Sequence, residues 1–111
     1  MRTPGILLLS LAVLAFQVAG HSQPLRTVYG AGLGSCGAWT QDRKADQRLS
    51  ALESQWILGY ISGVNQLAKT PTRNTDVQAI TAWMDSYCAV NPLERLADAA
   101  LVLTKELGAS W

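Results

Sequence analysis

Histidine is almost absent from this chain, which contains a single copy at His21. Acyl-transfer chemistry needs a nucleophile beside a base, and metal sites need clustered histidine, cysteine or carboxylate ligands. No such cluster stands out along the sequence. We therefore expect no catalytic residues, no metal site and no enzymatic activity.

Charged residues are also few, at 15% of the chain, and nine Lys and Arg nearly balance eight Asp and Glu. Proteins that bind nucleic acid or an anionic membrane usually present a basic face, so we expect neither partner. The carboxylate pairs Asp42/Asp46 and Glu94/Asp98 stand among arginines. This pattern favours solvated surface charge over a pair of glycosidase carboxylates, one of which would have to be buried.

Only two cysteines are present, Cys36 and Cys88, and they do not form a Cys-x-x-Cys motif. In an exported protein an even pair is by default a disulfide, and we predict one here. Closing so long a loop would stabilise the fold by about 4 kcal/mol in the chain-entropy model. The alternative is a redox pair, which the spacing does not favour.

The amino terminus has the pattern of a secretory signal peptide. Arg2 precedes an apolar run over residues 6–19, and small residues follow, ending at Gly20. The run is shorter than the roughly 20 residues of a membrane-spanning helix, so we expect cleavage rather than an uncleaved anchor. The predicted cut follows Gly20, or alternatively Ser22, and places the protein in the periplasm or outside the cell.

The remaining chain, about 90 residues, is enough for one domain. We divide it into a flexible glycine-rich arm (residues 21–34), a helical domain (35–108) and a short tail (109–111). The motif Gly-x-Gly-x-x-Gly over residues 32–37 matches a dinucleotide fingerprint. That fingerprint needs a strand before it and a parallel sheet around it. The later chain offers no strand, so we predict no cofactor.

Helical periodicity predicts four helices and therefore an all-α domain. Together with the predicted cysteine pair, this gives a four-helix domain with one long-range disulfide. The first is expected over residues 36–44, capped by Ser35 and carrying Trp39 inward. The second is expected over residues 47–68, and close approach of a neighbour would explain Gly59 and Gly63 inside it. Its predicted core positions are Leu49, Leu52, Trp56, Tyr60, Val64 and Leu67.

The third helix is expected to begin at a Thr-x-x-Gln capping box, Thr75 to Gln78, and to end near Ala89. Its predicted core positions are Val77, Ile80, Trp83, Met84, Tyr87 and Cys88. The fourth is expected to start at Asn91-Pro92, with proline at its first position, and to stop at Gly108. Its predicted seam is Leu93, Leu96, Ala100, Leu103 and Leu107.

Aromatic side chains of the second helix define the candidate binding site. Trp56 and Tyr60 are expected on its inner face, where core packing is the simpler interpretation. The polar Ser62 and Asn65 beside them suggest a groove for a partner.

Two segments resemble known families. Residues 59–64, Gly-Tyr-Ile-Ser-Gly-Val, after the early Cys36, resemble a segment of the Rap/Tai immunity proteins, small periplasmic helical proteins that neutralise secreted cell-wall amidase toxins. The second cysteine departs from the Cys-x-Pro context of that family. Residues 87–93 and the alanine-rich final helix are similar to the HdeA family, small periplasmic helical proteins with one long-range disulfide, some of them acid-stress chaperones. The combination also resembles uncharacterised exported proteins of alphaproteobacteria.

The resemblance implies a disulfide-stapled periplasmic protein. We expect a non-enzymatic protein that acts by contact with other proteins, with an HdeA-like stress chaperone as the leading form. An immunity-type inhibitor of a secreted toxin is the main alternative, and a small-ligand carrier is a third. A homodimer remains open.

Overall fold

The computed structural model describes residues 27–111, which form an all-α domain. The predicted signal peptide and residues 21–26 of the predicted arm lie outside the described residues. Within residues 27–111 there are four α-helices and no β-strand, as the sequence predicts. A short 3-10 helix precedes them. The elements are the 3-10 helix Gly30–Leu33, α1 Cys36–Ala45, α2 Gln47–Leu67, α3 Val77–Val90 and α4 Leu96–Glu106.

Side-chain caps start three of the helices. The Ser35 hydroxyl accepts a hydrogen bond from the Ala38 amide at 3.1 Å, as predicted. Asp46 separates α1 from α2, and its carboxylate accepts from the amides of Arg48 and Leu49, both at 3.1 Å. The predicted cap of α3 is wrong by one residue. Asp76, rather than Thr75, accepts from the Ala79 amide at 2.7 Å, because a carboxylate is the stronger acceptor for a helix amino terminus.

The core lies where the four helices meet, and a disulfide joins the first residue of α1 to the last turn of α3. Cys36 and Cys88 form that bond, with their Cα atoms 4.6 Å apart, which confirms the predicted pairing. Trp39 points inward as predicted and is 1% exposed. The buried cluster comprises Cys36, Trp39, Ile57, Ile61, Ile80, Met84, Cys88, Leu96, Ala99, Ala100 and Leu103.

The predicted inner face of α2 is confirmed only in part: Val64 is buried, and Trp56 and Tyr60 pack on the core from its edge. Leu49, Leu52 and Leu67 are exposed, and Trp56 and Tyr60 are only half-buried. The stripe that faces the core lies about 100° further round the helix. It includes two polar residues, which is why an apolar periodicity selects the neighbouring stripe. Its members are Ser50, Glu53, Ile57, Ile61 and Val64.

The predicted core of α3 is confirmed in part. Ile80, Met84 and Cys88 are buried, and Trp83 and Tyr87 pack on the core from its edge. Val77 is exposed, contrary to prediction, because it is the first residue of the helix and extends beyond the packed region.

The predicted start of α4 is also wrong, since the helix begins at Leu96 and not at Pro92. The carbonyls of Pro92 and Glu94 accept hydrogen bonds from the amides of Gly37 and Cys36, at 2.9 and 2.7 Å. These bonds satisfy donors left free at the start of α1 and hold the segment in a turn. Leu93, predicted in the seam, is therefore 95% exposed.

The carboxy-terminal stop is confirmed, because Gly108 adopts a positive φ of 89° directly after the helix cap. The tail then pairs with the connection between α2 and α3. Thr70 and Ser110 exchange two backbone hydrogen bonds of 3.1 and 3.0 Å. Trp111, at the end of this tail, is exposed.

Candidate functional site

Trp56 and Tyr60, the aromatic half of the predicted groove, lie together on α2. Their rings stack with centroids 5.5 Å apart. The Trp56 indole N–H donates to the Tyr29 carbonyl at 2.8 Å, and a Cβ added to Gly32 would clash with the Trp56 ring. The last part of the predicted arm therefore packs against α2 and belongs to the folded domain.

Ser62 and Asn65, the polar half of the predicted groove, lie elsewhere. At about 100° per residue they stand about 120° and 180° round α2 from Trp56. The Ser62 hydroxyl donates to the Leu58 carbonyl of its own helix at 2.7 Å. The Asn65 side-chain oxygen accepts from the amide and hydroxyl of Thr72, at 2.9 and 3.0 Å. Asn65 thus fixes the connection that follows α2.

The aromatic pair instead belongs to an apolar strip that runs along the outside of α2. Leu52 and Leu67 are 57% and 82% exposed. None of the strip's residues is charged. This strip is called the exposed α2 face below, and it comprises Leu49, Leu52, Trp56, Gly59, Tyr60, Gly63 and Leu67.

Gly59 and Gly63 form a flat area within the exposed α2 face. A Cβ placed on either glycine would meet no atom within 4 Å. The predicted close approach of a neighbouring element of the same chain is therefore wrong for the described residues. Glycine costs a helix about 1 kcal/mol relative to alanine, and no contact within residues 27–111 explains that cost at these positions.

A second feature lies on the opposite side of the domain, between α1 and α3. Arg43 donates to the two Asp85 oxygens from Nε and Nη2 at 2.8 and 3.0 Å, and the Trp39 indole N–H donates at 2.8 Å. Burial alone would raise the pKa of Asp85, but the hydrogen bonds from Arg43 and Trp39 and the Arg43 charge hold it below the ordinary value. These contacts tie α1 to α3.

An open depression of about 410 Å³ adjoins this ion pair. Lys44 and Thr40 line it beside Arg43 and Asp85. Asp85 already neutralises Arg43, so Lys44 is the one unpaired charge among the residues that line the depression, and a single exposed charge selects a ligand weakly. It is a weaker candidate for a binding site than the exposed α2 face.

Tyr87 and Glu94 form a third polar contact, at the turn before α4. The Tyr87 hydroxyl donates to a Glu94 oxygen at 2.6 Å. This hydrogen bond, together with burial and the nearby carboxylate charges, raises the pKa of Tyr87 to about 12. Tyr87 also stacks on Trp83 with ring centroids 4.7 Å apart. The contact joins the last turn of α3 to the turn that precedes α4.

The described part of the chain contains neither a metal cluster nor a membrane-spanning helix. No group of three histidine, cysteine or carboxylate side chains within residues 27–111 is placed to hold a metal ion. Over the same residues, no helix is both long and apolar enough to span a membrane. Comparison with protein-family models, curated proteins and solved structures finds no match to the chain.

The sequence predicts that Trp56 and Tyr60 lie together on α2, as they do, but it does not predict that the leucines beside them are exposed. The leucines of the exposed α2 face were assigned to the core because their spacing is helical. The two glycines were the signal that could have identified it, since they share the face with these leucines and would leave a buried helix poorly packed.

Proposed function

We propose that this protein is an exported, non-enzymatic protein that acts by contact with other proteins through the exposed α2 face. One observation carries the proposal. α2 has two apolar stripes. One is buried in the domain, and the other is exposed at Leu49, Leu52 and Leu67 while its Trp56 and Tyr60 are half-buried. A surface helix normally has a single apolar stripe, directed at the core. A contiguous apolar strip that remains exposed is typical of an interaction site.

The glycines support the same proposal. Gly59 and Gly63 leave the middle of the face without side chains, so a partner segment can approach the α2 backbone closely. Their cost to helix stability is then offset in the complex rather than in the free protein. The flanking Leu52 and Leu67 provide apolar area on either side, and the Trp56–Tyr60 stack provides a rigid aromatic anchor of the kind enriched in binding hot spots.

Export to the periplasm or the medium is part of the proposal. Disulfides persist in oxidising compartments, and the Cys36–Cys88 bond is compatible with such a location. The signal-like pattern before residue 21 supports the same compartment. The leading form of the function is an HdeA-like stress chaperone, for which an adaptable apolar surface suits many clients. A dedicated inhibitor of one toxin would use the same surface for a single partner.

The test compares two single substitutions on α2. Gly63→Glu places a charge in the centre of the exposed α2 face without an intrachain clash, and Ala51→Glu places the same charge on another exposed side of the helix. The tagged precursor is expressed in cells and crosslinked at neutral and acid pH, and captured proteins are identified by mass spectrometry. We expect Gly63→Glu to abolish capture and Ala51→Glu to leave it unchanged.

The pattern of capture separates the forms of the function. Many exported clients in acid support the chaperone, and one dominant partner at neutral pH supports the inhibitor. Capture of a second copy alone identifies a homodimer and contradicts both. A small molecule retained by the purified protein in place of proteins supports the carrier instead. Equal capture by both variants would contradict the proposal that partners bind at the exposed α2 face.

A further inference from the structure

Glu53 is a buried acid on the core side of α2. Its residue surface is 8% exposed. Both carboxyl oxygens are shielded from solvent, and no backbone amide or cationic side chain among residues 27–111 donates a hydrogen bond to either of them. An ionised carboxylate is strongly disfavoured in such a place unless it is paired, whereas the neutral acid is tolerated. The site therefore selects the protonated form.

The charged groups around Glu53 have the same sign as an ionised carboxylate. Asp42 projects from α1, and Asp46 lies in the connection between α1 and α2, where the amides of Arg48 and Leu49 hold its side chain. α4 and the 3-10 helix also pack on α2, but neither contributes a charged group that acts on Glu53. The arginine next to Asp42 in the chain, Arg43, is paired with Asp85 on α3 and does not act on Glu53. Glu53 thus lacks a counter-charge.

These surroundings raise the pKa of Glu53 to about 7, from an ordinary value of 4.5. Burial is the largest cause, followed by a hydrogen bond that the protonated carboxyl shares with Asp42 and then by the negative charges of Asp42 and Asp46. Asp42 and Glu53 come from different helices, so their repulsion acts across the packed surfaces of α1 and α2.

We propose that Glu53 makes the packing of α1 on α2 sensitive to pH. The two helices pack together while the carboxyl is protonated, and their contact loosens when the carboxyl ionises. An ionised Glu53 gains by reaching water, and it can do so only if α1 moves away from α2. The pH sensitivity does not depend on the proposed function, since it concerns the buried stripe of α2 and its contact with α1 and not the leucines and glycines of the exposed α2 face.

The direction of the pH effect follows from linkage. The folded protein binds more protons than the unfolded chain between the unfolded pKa of 4.5 and the folded pKa of about 7. The stabilising contribution is therefore complete below 4.5 and is lost as the pH rises through about 7. For this group alone, the equilibrium constant for unfolding should rise on the order of 50-fold between about pH 5 and pH 8.

The test is denaturant unfolding of the mature protein from about pH 5 to pH 8, for the wild type and for Glu53→Gln. Glutamine has the shape of the protonated acid and cannot ionise. We expect the wild type to lose stability as the pH rises over this range and Glu53→Gln to lose much less. At about pH 5 the two proteins should differ little in stability. Amide hydrogen exchange should show that the wild-type loss of protection at pH 8 is concentrated in α1 and the adjoining turns of α2.

Two further variants keep the test decisive. Glu106→Gln removes an exposed carboxylate and should reproduce the wild-type profile. Asp42→Asn removes the repelling charge and should make the change in the unfolding equilibrium between about pH 5 and pH 8 smaller than in the wild type. This variant also provides the test if Glu53→Gln does not fold. A Glu53 side-chain carbon that titrates by NMR near the ordinary value, or a Glu53→Gln profile as steep as that of the wild type, would overturn the proposal.

Discussion

Trp56 shows how a single residue connects the amino-terminal segment to the helical domain. Its indole N–H donates to the Tyr29 carbonyl at 2.8 Å, and its ring lies against Gly32. Gly32 is glycine because any side chain would enter the ring. Gly63, on the same helix as Trp56, has open space where a Cβ would stand. The two glycines therefore have different reasons to be present.

The difference is testable by replacing each glycine with alanine. We expect Gly32→Ala to lower the free energy of unfolding by about 1–3 kcal/mol, because the Trp56 ring must move. Gly63→Ala should raise it by about 0.5–1 kcal/mol, because alanine favours the helix. Urea unfolding followed by tryptophan fluorescence measures both. A stabilised Gly32→Ala variant would contradict the packing of the 3-10 helix on Trp56.

Asp85 is the residue through which charge contributes to stability between α1 and α3. Its carboxylate accepts from Arg43 and from the Trp39 indole. The folded-state pKa is lowered from its ordinary value of 3.8. This contribution is therefore present above 3.8 and is lost as the pH falls through the lower folded value.

Asp85→Asn should consequently cost about 1 kcal/mol of unfolding free energy near neutral pH, the upper end of the range for a partly exposed pair. The gap from the wild type should close as the pH falls below 3.8 and through the lower folded-state pKa, because the wild-type carboxyl then becomes protonated itself. Parallel urea titrations at several pH values measure it. A gap that persists unchanged in strong acid would show that the loss is steric rather than electrostatic.

At the scale of elements, the sequence was sufficient to predict the number of helices and most of their ends. Ser35 and Gly108 are local signals, and local signals suffice where a cap acts on its own helix. The face of α2 could not be read in this way. Its two apolar stripes have the same period, and the buried one contains Glu53, which pattern reasoning assigns to solvent.

The start of α4 could not be predicted for a different reason. Proline after asparagine is a good local start for a helix. The carbonyls of Pro92 and Glu94 instead bond to the first amides of α1, which lie more than 50 positions earlier in the chain. Pairing between distant segments overrode local propensity, and the same pairing left Leu93 exposed.

The disulfide also holds the start of α1 in place, by joining it to the last turn of α3. Replacing both Cys36 and Cys88 with alanine should lower the unfolding free energy by about 4 kcal/mol in the chain-entropy model. For a small domain this is a large share of the total. Urea unfolding of the double variant tests this against the oxidised wild type. A variant of equal stability would mean that the helix contacts alone hold α1 in place.

At the scale of the whole molecule, the acidic groups make the stability of the fold depend on pH in opposite directions. Asp85 and Asp98 have lowered pKa values, and both stabilise the fold only above strongly acid pH. Glu53 stabilises it only below neutral pH. Stability should therefore be greatest in mild acid. A chaperone form that works by acid-induced opening would need pH values below about 4, whereas an apolar face already exposed needs no opening.

The central claim is that the exposed α2 face is the surface that meets a protein partner. The most direct measurement places a photo-activated crosslinking residue at single positions of the protein in cells and maps where partners attach. We predict crosslinks from positions 52 and 67, on the exposed α2 face, and none from position 51 or from position 86 on α3. Crosslinks from positions 51 or 86 with none from 52 and 67 would contradict the account.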